Sequence, residues 1–157
     1  MRVYLATHFF DQAGFEFTEK LARKIRENCP NIDLYVPQEN SDINDKENND
    51  GNITAKAIYR GDTDRLLFAD ILVAYIDGVE IDSGVAGEIG AMAMRNELND
   101  SCKIIGLYTD MRRHGTGDNH MYKNLFVKGA IEEHGALVHT INDVVKEINK
   151  YREESNE

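Results

Sequence analysis

The chain has 157 residues, of which 41% are hydrophobic and 29% charged, and its formal net charge is −10. This length and composition are typical of a single globular domain, which we expect to span residues 1–157. The acidic excess argues against binding nucleic acid, because that depends on clustered Lys and Arg, and it favours a small neutral or cationic ligand.

The first third of the chain predicts a strand, a helix, a second strand and a long loop. Residues 3–6 form an apolar run of strand length, and residues 15–27 carry apolar side chains at helical spacing. The second strand, 33–36, ends at Pro37, because proline fixes φ and lacks an N–H donor. Residues 38–52 are too polar for a core, so we expect a loop that is either a binding loop or lid, or a solvated insertion.

The middle of the chain continues the alternation of strands and helices. Residues 53–68 predict a second helix, and the apolar run 70–76 predicts a third strand. Residues 84–98 predict a helix that begins with small residues, and residues 103–108 predict a fourth strand.

The last third of the chain repeats the same unit. Residues 109–119, rich in Arg, His and Gly, predict a loop, and residues 120–133 predict a helix. A short strand at 136–139 and a final helix at 141–152 follow. Strands that alternate with helices indicate βα units. We therefore predict an α/β fold of flavodoxin-like or Rossmann-like type, an open sheet of about five parallel strands with helices on both faces.

The sequence favours a cytoplasmic protein without a metal or a cofactor. The first apolar run is interrupted at Thr7, too soon for a signal peptide, and no run approaches the roughly 18 apolar residues of a membrane span. Cys29 and Cys102 form no C-x-x-C pair and have no histidines at ligand spacing, so we expect free thiols.

The most informative stretch is 81–90, Ile-Asp-Ser-Gly-Val-Ala-Gly-Glu-Ile-Gly, which follows the third predicted strand. Ligands of open parallel sheets bind beyond the carboxyl ends of the strands, where Asp82 and Glu88 would both lie. Either Asp82 or Ser83 can cap the helix that begins here.

Small residues accompany Glu88 on this helix. Gly84 and Gly87 share its face and leave space that fits a ligand. The positive helix start favours the ionised form of Glu88, as a nucleophile requires. The alternative is close packing, in which Gly84, Gly87 and Gly90 let the helix approach the sheet.

A series of segments runs through nearly the whole chain in a recognisable order. They are Tyr4-Leu5-Ala6 with Phe9-Phe10, Val36-Pro37 with Glu39-Asn40, Asp62, Ala69-Asp70-Ile71, the stretch 82–90, and Asn124-Leu125. In this order they resemble the nucleoside 2-deoxyribosyltransferase family. The most specific parts are the D-x-G-x-x-x-E turn and the spacing of Asp62, Asp70 and Glu88.

The resemblance implies exchange of the nucleobase on a 2′-deoxyribonucleoside, with retention, through a covalent deoxyribosyl–glutamate intermediate. Glu88 matches the nucleophile that attacks the anomeric carbon. Asp62 matches the carboxylate that handles the nucleobase and its proton, and Tyr4 matches a tyrosine that orients the nucleophile. The implied partners are a 2′-deoxynucleoside and a free nucleobase, with no nucleic acid and no membrane.

The resemblance also implies residues that bind the substrate. Asp82 matches the residue near the 5′-hydroxyl, and Gly84 and Gly87 leave room for the sugar. Asn124 matches an asparagine that enters a neighbouring subunit's site to hold the 5′-hydroxyl, which implies a homo-oligomer. A pair of aromatic side chains forms a wall against which the base stacks, namely Phe9 and Phe10.

The residue types suit this chemistry independently of the resemblance. Cleavage of an N-glycosidic bond passes through an oxocarbenium-like state, so one ionised carboxylate must face the anomeric carbon while an acid protonates the departing base. Asp64 rivals Asp62 for the role of the acid, and spacing favours Asp62. Where some family members contact the base with a glutamine, this chain has Ser41, so the base contacts stay open.

Two other functions and several simpler roles remain as alternatives. A 2′-deoxynucleoside 5′-monophosphate N-hydrolase uses similar carboxylates, but Asp82 would repel a phosphate. A non-catalytic nucleoside-sensing protein would retain the pocket without turnover. Tyr4 is alternatively a core tyrosine, Asp62 a solvated helix residue, and the aromatic pair Phe9-Phe10 buried.

Overall fold

Five parallel strands form one sheet in the computed structural model, which describes residues 1–44, 53–99, 102–114 and 123–155. The strands are β1 (Arg2–Ala6), β2 (Asp33–Tyr35), β3 (Ile71–Tyr75), β4 (Lys103–Leu107) and β5 (Gly135–Val138). Their order across the sheet is β2-β1-β3-β4-β5, and all four pairings are parallel. The predicted open parallel sheet is confirmed.

Helices cover both faces of this sheet. They are α1 (Gln12–Asn28), the single turn α2 (Ser41–Asn44), α3 (Ala55–Leu66), α4 (Ser83–Asn99), α5 (Leu125–His134) and α6 (Ile141–Glu154). Side chains of α4 and α5 pack into one buried cluster, and those of α1 and α6 pack into the other. The prediction of helices on both faces is therefore also confirmed.

The alternation along β1 decides which side chain reaches which helix layer. Val3 and Leu5 belong to the cluster of α1 and α6, whereas Tyr4 and Ala6 belong to the cluster of α4. Successive side chains of a strand point to opposite faces, so Tyr4 lies beneath the helix that carries Glu88.

The strand order reverses between β1 and β3. From β1 the chain moves outward to β2, and it then returns to β3 on the other side of β1 before continuing to β4 and β5. The connections after β1 and after β3 therefore diverge and leave a crevice at their carboxyl ends, which is where such sheets bind ligands.

Two predicted loops contain short helical turns. A 3-10 turn, Pro37–Glu39, overlaps the start of the loop predicted at 38–52, and α2 lies within that loop. A second 3-10 turn, Met111–His114, lies within 109–119. Polar side chains satisfy the backbone of the first segment, because Asn44 Nδ2 donates to the carbonyl oxygens of Pro37 (2.6 Å) and Asn40 (3.1 Å). Residues 45–52 and 115–119 of these predictions lie outside the described residues.

The predicted start of α5 is wrong. We predicted a helix from residue 120, but α5 begins at Leu125, and residues 120–122 lie outside the described residues. Asn124 is the N-cap, and its side-chain oxygen accepts hydrogen bonds from the N–H groups of Phe126 and Val127.

In the described ranges, no helix is both long enough and apolar enough to cross a bilayer.

We predict that Gly135→Ala destabilises the protein whereas Gly129→Ala does not. A Cβ at residue 135 would lie 1.9 Å from the carbonyl oxygen of Ile104 on the neighbouring strand, so β5 would have to shift, at a cost of roughly 2–3 kcal/mol. A Cβ at residue 129, within α5, would meet nothing within 4 Å, and we expect a gain of about 0.5–1 kcal/mol. Urea unfolding of both variants measures these changes, and equal stabilities would contradict the prediction.

Candidate active site

A cavity of about 320 Å³ opens at the carboxyl end of β1, beside the start of α4. It lies in the crevice where the strand order reverses. Six of the nine predicted site residues line it, namely Phe9, Phe10, Asp62, Asp82, Gly84 and Glu88. The structure thus brings together residues that are up to 79 positions apart in the chain.

Glu88 and Tyr4 form the central contact of this site. The Tyr4 hydroxyl donates to Glu88 Oε1 at 2.5 Å, and only 1% of the tyrosine is exposed. Burial raises the pKa of the tyrosine, and the neighbouring Glu88 raises it further, so the phenol keeps its proton. Tyr4 is therefore both a core residue and a direct partner of the glutamate.

Opposing effects act on the pKa of Glu88. Burial, together with the nearby Asp62 and Asp82, raises the pKa of Glu88 to about 7, while the hydrogen bond from Tyr4 acts in the opposite direction. The helix start favours the ionised form of this carboxylate, as expected from the sequence, whereas burial favours the protonated form. Glu88 is poised to gain or lose a proton near neutral pH.

Asp62 approaches the pocket from α3 and is half-buried. Its Oδ1 accepts a hydrogen bond from the Tyr35 hydroxyl at 3.3 Å. Burial raises the pKa of Asp62, and hydrogen bonds from Tyr35 and Tyr4 partly offset that rise. Asp64, its rival in the sequence, is exposed and lines a different cavity with Arg2 and others. Of the two aspartates, only Asp62 faces the pocket of Glu88.

Asp82 shapes the beginning of α4. Its Oδ1 accepts hydrogen bonds from the N–H groups of Gly84 (2.9 Å) and Val85 (3.1 Å), so Asp82 rather than Ser83 caps the helix. The same residue lines the cavity, so its capping bonds hold the carboxylate at the edge of the pocket.

Gly87 and Gly90 of α4 are not required for close packing against the described parts of the chain. A Cβ at Gly87 or Gly90 would meet nothing within 4 Å, and a Cβ at Gly84 would meet only Asp82 Oδ1, at 3.1 Å. The packing alternative therefore fails for Gly87 and Gly90 within one chain. Gly84 lines the cavity, whereas Gly87 is not among its lining residues.

Phe9 and Phe10 form an aromatic wall on the β1 side of the cavity. Their ring centroids are 4.8 Å apart, and 77% of Phe10 is exposed. The alternative of a buried aromatic pair is therefore wrong for Phe10. Exposed aromatic surface at the rim of a pocket is suited to stacking against a planar ligand.

Asn124 is not among the residues that line this cavity within one chain. It is exposed, and its side-chain oxygen caps α5. Its neighbours Lys123 and Leu125 line a different cavity, of about 510 Å³. The structure of one chain thus leaves Asn124 apart from the other predicted site residues.

Sequence reasoning missed Tyr35 and Asn44. Tyr35 contacts Asp62, and its ring centroid lies 5.2 Å from that of Tyr4, while Asn44 lines the cavity from α2. Tyr4 and Tyr35 are paired residues on the adjacent parallel strands β1 and β2, so they share a face of the sheet. The strand register is the signal that could have revealed Tyr35.

We find no metal-binding arrangement in the ranges that the structure describes. No group of three or more His, Cys, Asp or Glu side chains there is placed to hold an ion. The groups at the cavity that can donate or accept protons are its carboxyl groups and the tyrosine hydroxyls beside them.

Comparison with known proteins identifies a family for this chain. The model of a family described as nucleoside 2-deoxyribosyltransferase matches residues 3–144. A crystal structure of a conserved protein from Enterococcus faecalis V583 is 34% identical, with a TM-score of 0.84 over 96% of this chain and 98% of that one. The comparison with curated proteins finds no match.

Two more distant structures share the fold. A 2-deoxyribosyltransferase from Bacillus psychrosaccharolyticus is 20% identical, with a TM-score of 0.60 over 92% of this chain and 90% of that one. A 2-deoxyribosyltransferase from Leishmania mexicana is 16% identical, with a TM-score of 0.52 over 80% of this chain and 84% of that one.

We predict that Glu88→Gln stabilises the protein at alkaline pH and removes part of its pH dependence. A carboxyl whose pKa rises from 4.5 in the unfolded chain to about 7 in the folded protein favours folding below pH 4.5, and this contribution is lost as the pH rises through 7. The variant should therefore gain up to about 3 kcal/mol over the unchanged protein between pH 5 and pH 8.

Urea unfolding at each pH measures this difference. Glu19→Gln, at an exposed position of α1, controls for the loss of one negative charge. Parallel stability curves for Glu88→Gln and the unchanged protein would contradict the prediction.

Proposed function

Because the chain belongs to the nucleoside 2-deoxyribosyltransferase family, we propose that it exchanges nucleobases on 2′-deoxyribonucleosides through a covalent intermediate on Glu88. The observation that carries this proposal is the convergence of Glu88 and Asp62 at one cavity, with the buried Tyr4 hydrogen-bonded to Glu88. Two carboxyl groups beside an anomeric carbon are what a double displacement at a glycosidic bond needs.

The first displacement forms the intermediate. A Glu88 carboxylate oxygen attacks the anomeric carbon, and the electron pair of the breaking N-glycosidic bond moves to the base, which takes a proton from Asp62. Tyr4 holds Oε1 of Glu88, which leaves Oε2 as the attacking oxygen. The raised pKa of Asp62 suits a proton donor.

The second displacement reverses the first with a new base. A nitrogen of the incoming base attacks the anomeric carbon, Glu88 departs as a carboxylate, and the proton of the base returns to Asp62. Each displacement inverts the configuration, so the overall transfer retains it. With a pKa of about 7, Glu88 is still ionised in a substantial fraction of molecules at neutral pH, as an attacking carboxylate requires.

The same proposal gives roles to other residues that line the cavity. Asp82 accepts a hydrogen bond from the 5′-hydroxyl, and Gly84 gives the sugar room. Phe9 and Phe10 stack against the base. A carboxylate at residue 82 disfavours a 5′-phosphate, which argues for nucleosides over nucleotides. The reaction uses only side chains of the protein and needs no cofactor.

We further propose that the active form is a homo-oligomer in which Asn124 enters the neighbour's pocket. Asn124 stands at the start of α5 beside two apolar side chains, Leu125 and Phe126, which are 71% and 85% exposed. Exposed apolar side chains of this size next to a polar group support an interface between subunits. Gly87, whose face of α4 is open, gives a further position where a neighbour fits.

We predict that incubation with 2′-deoxyinosine and adenine yields 2′-deoxyadenosine and hypoxanthine. Glu88→Ala should abolish this exchange, because the variant lacks the carboxylate that carries the deoxyribosyl unit in the proposed intermediate, whereas Glu19→Ala, on the exposed face of α1, should not. Chromatography measures the products. Mass spectrometry of the protein incubated without an acceptor base should find a deoxyribosyl group on Glu88.

The products of this assay distinguish the alternatives. Release of free base without a new nucleoside would indicate a hydrolase. Binding of the nucleoside without any reaction would indicate a sensing protein. Substantial exchange by Glu88→Ala would contradict the assignment of the nucleophile.

We predict that Glu88→Ala and Asn124→Ala, each impaired alone, regain activity when their subunits are mixed. A mixed dimer contains one site with an intact Glu88 from one chain and an intact Asn124 from the other, so about a quarter of all sites should be active after full subunit exchange. The base-exchange assay measures the recovery. An Asn124→Ala protein with full activity, or a fully active monomer, would contradict the prediction.

A further inference from the structure

Two of the three carboxyl groups that line the cavity, those of Glu88 and Asp62, accept a hydrogen bond from a tyrosine. Tyr4 donates to Glu88 Oε1 at 2.5 Å, and Tyr35 donates to Asp62 Oδ1 at 3.3 Å. The two rings lie on paired positions of β1 and β2, with centroids 5.2 Å apart. The nucleophile and the acid are thus supported by the same kind of group from adjacent strands.

Three hydrogen bonds around Tyr35 form a chain in which each donor points toward Asp62. The Asp42 N–H donates to Asn40 Oδ1 at 3.2 Å, which fixes the orientation of the Asn40 amide. Asn40 Nδ2 then donates to the Tyr35 hydroxyl oxygen at 3.1 Å. Because the Tyr35 oxygen already accepts a hydrogen bond from Asn40, the hydroxyl proton of Tyr35 points at Asp62.

We propose that Tyr35 is a positioning residue for the proposed acid: it holds Oδ1 of Asp62, so that the proton given to the departing base is carried on Oδ2. This inference rests on the proposed function. As the N-glycosidic bond breaks, its electron pair goes to the base, the proton moves from Asp62 Oδ2 to that base, and Tyr35 keeps its own proton. Its hydrogen bond then stabilises the carboxylate that forms.

The groups around Asp62 determine whether its pKa rises or falls when the Tyr35 hydroxyl is removed. Burial raises the pKa of Asp62, while the hydrogen bond from Tyr35 on β2 lowers it and the nearby Tyr4 on β1 acts in the same direction as Tyr35. Glu88 from α4 lies close enough for Asp62 to raise its pKa, so the two carboxyls disfavour each other's ionisation. From α3 itself, the Arg65 guanidinium lies 5.3 Å from the Tyr35 ring centroid and packs on it. Removing the Tyr35 hydroxyl therefore raises the pKa of Asp62.

The test is a pH titration of Asp62 in the full chain by NMR of ¹³C-labelled aspartate carboxyl groups. Asp62→Asn assigns the signal, because that signal disappears in the variant. We expect Tyr35→Phe to move the Asp62 titration to higher pH and to slow base exchange about tenfold. The limb of the kcat/KM pH profile that belongs to Asp62 should move in the same direction.

A matched control is available on the same helix as Asp62. Tyr59 also carries an arginine over its ring, with Arg60 at 5.8 Å from the centroid, but it is 62% exposed and is not among the lining residues of the cavity. Tyr59→Phe should leave the Asp62 titration and the exchange rate unchanged. Asn40→Ala should cause a smaller shift of the same sign, and no further shift when combined with Tyr35→Phe.

The outcomes separate this inference from the proposed function. An Asp62 titration that is the same in Tyr35→Phe as in the unchanged protein would overturn the inference, even if activity falls. Equal shifts in Tyr35→Phe and Tyr59→Phe would overturn it as well. If the unchanged protein exchanges no bases, the proposed function fails, while the carboxyl titration still decides whether Tyr35 controls Asp62.

Discussion

The buried hydrogen bond between Tyr4 and Glu88 is the contact on which the arrangement of the site depends. It joins the first strand of the sheet to the helix after the third strand, across 84 residues of sequence. Both partners lose solvent in forming it, and the glutamate has a pKa near 7 as a result. Burial orients this carboxyl group, but it also lowers the fraction of molecules in which the group is ionised.

The sheet topology explains why these groups meet. Pleating turns Tyr4 and Tyr35 toward the same helix layer, and the reversal of strand order between β1 and β3 opens the crevice above them. Asp62 then enters from α3 and Glu88 from α4. The described scaffold is an open parallel sheet covered by helices, and the chemical groups gather around β1 from the neighbouring β2, α3 and α4.

The sequence was sufficient for the sheet, because long apolar runs such as that of β3 have few other interpretations. It was less informative where single side chains decide the backbone. Asn124 was matched to a family site residue, but it is also the N-cap of α5. Hydrophobic periodicity does not show such a cap, and it placed the start of this helix too early. The helical turn α2 depends on backbone contacts of Asn44 that no hydrophobic pattern records. Tyr35 looked like any strand residue until the register of β1 and β2 was known.

The three carboxyl groups at the cavity, those of Asp62, Asp82 and Glu88, have a consequence for how such an activity would be controlled. Under the proposed function, the ionised carboxyl groups of this pocket would disfavour a substrate that carries a phosphate. A kinase that adds a phosphate to the 5′-hydroxyl would then make a nucleoside a poor substrate, and a phosphatase would reverse this. The same carboxyl groups would thus confine base exchange to the unphosphorylated pool, and competition with a kinase would set how long each nucleoside remains exchangeable.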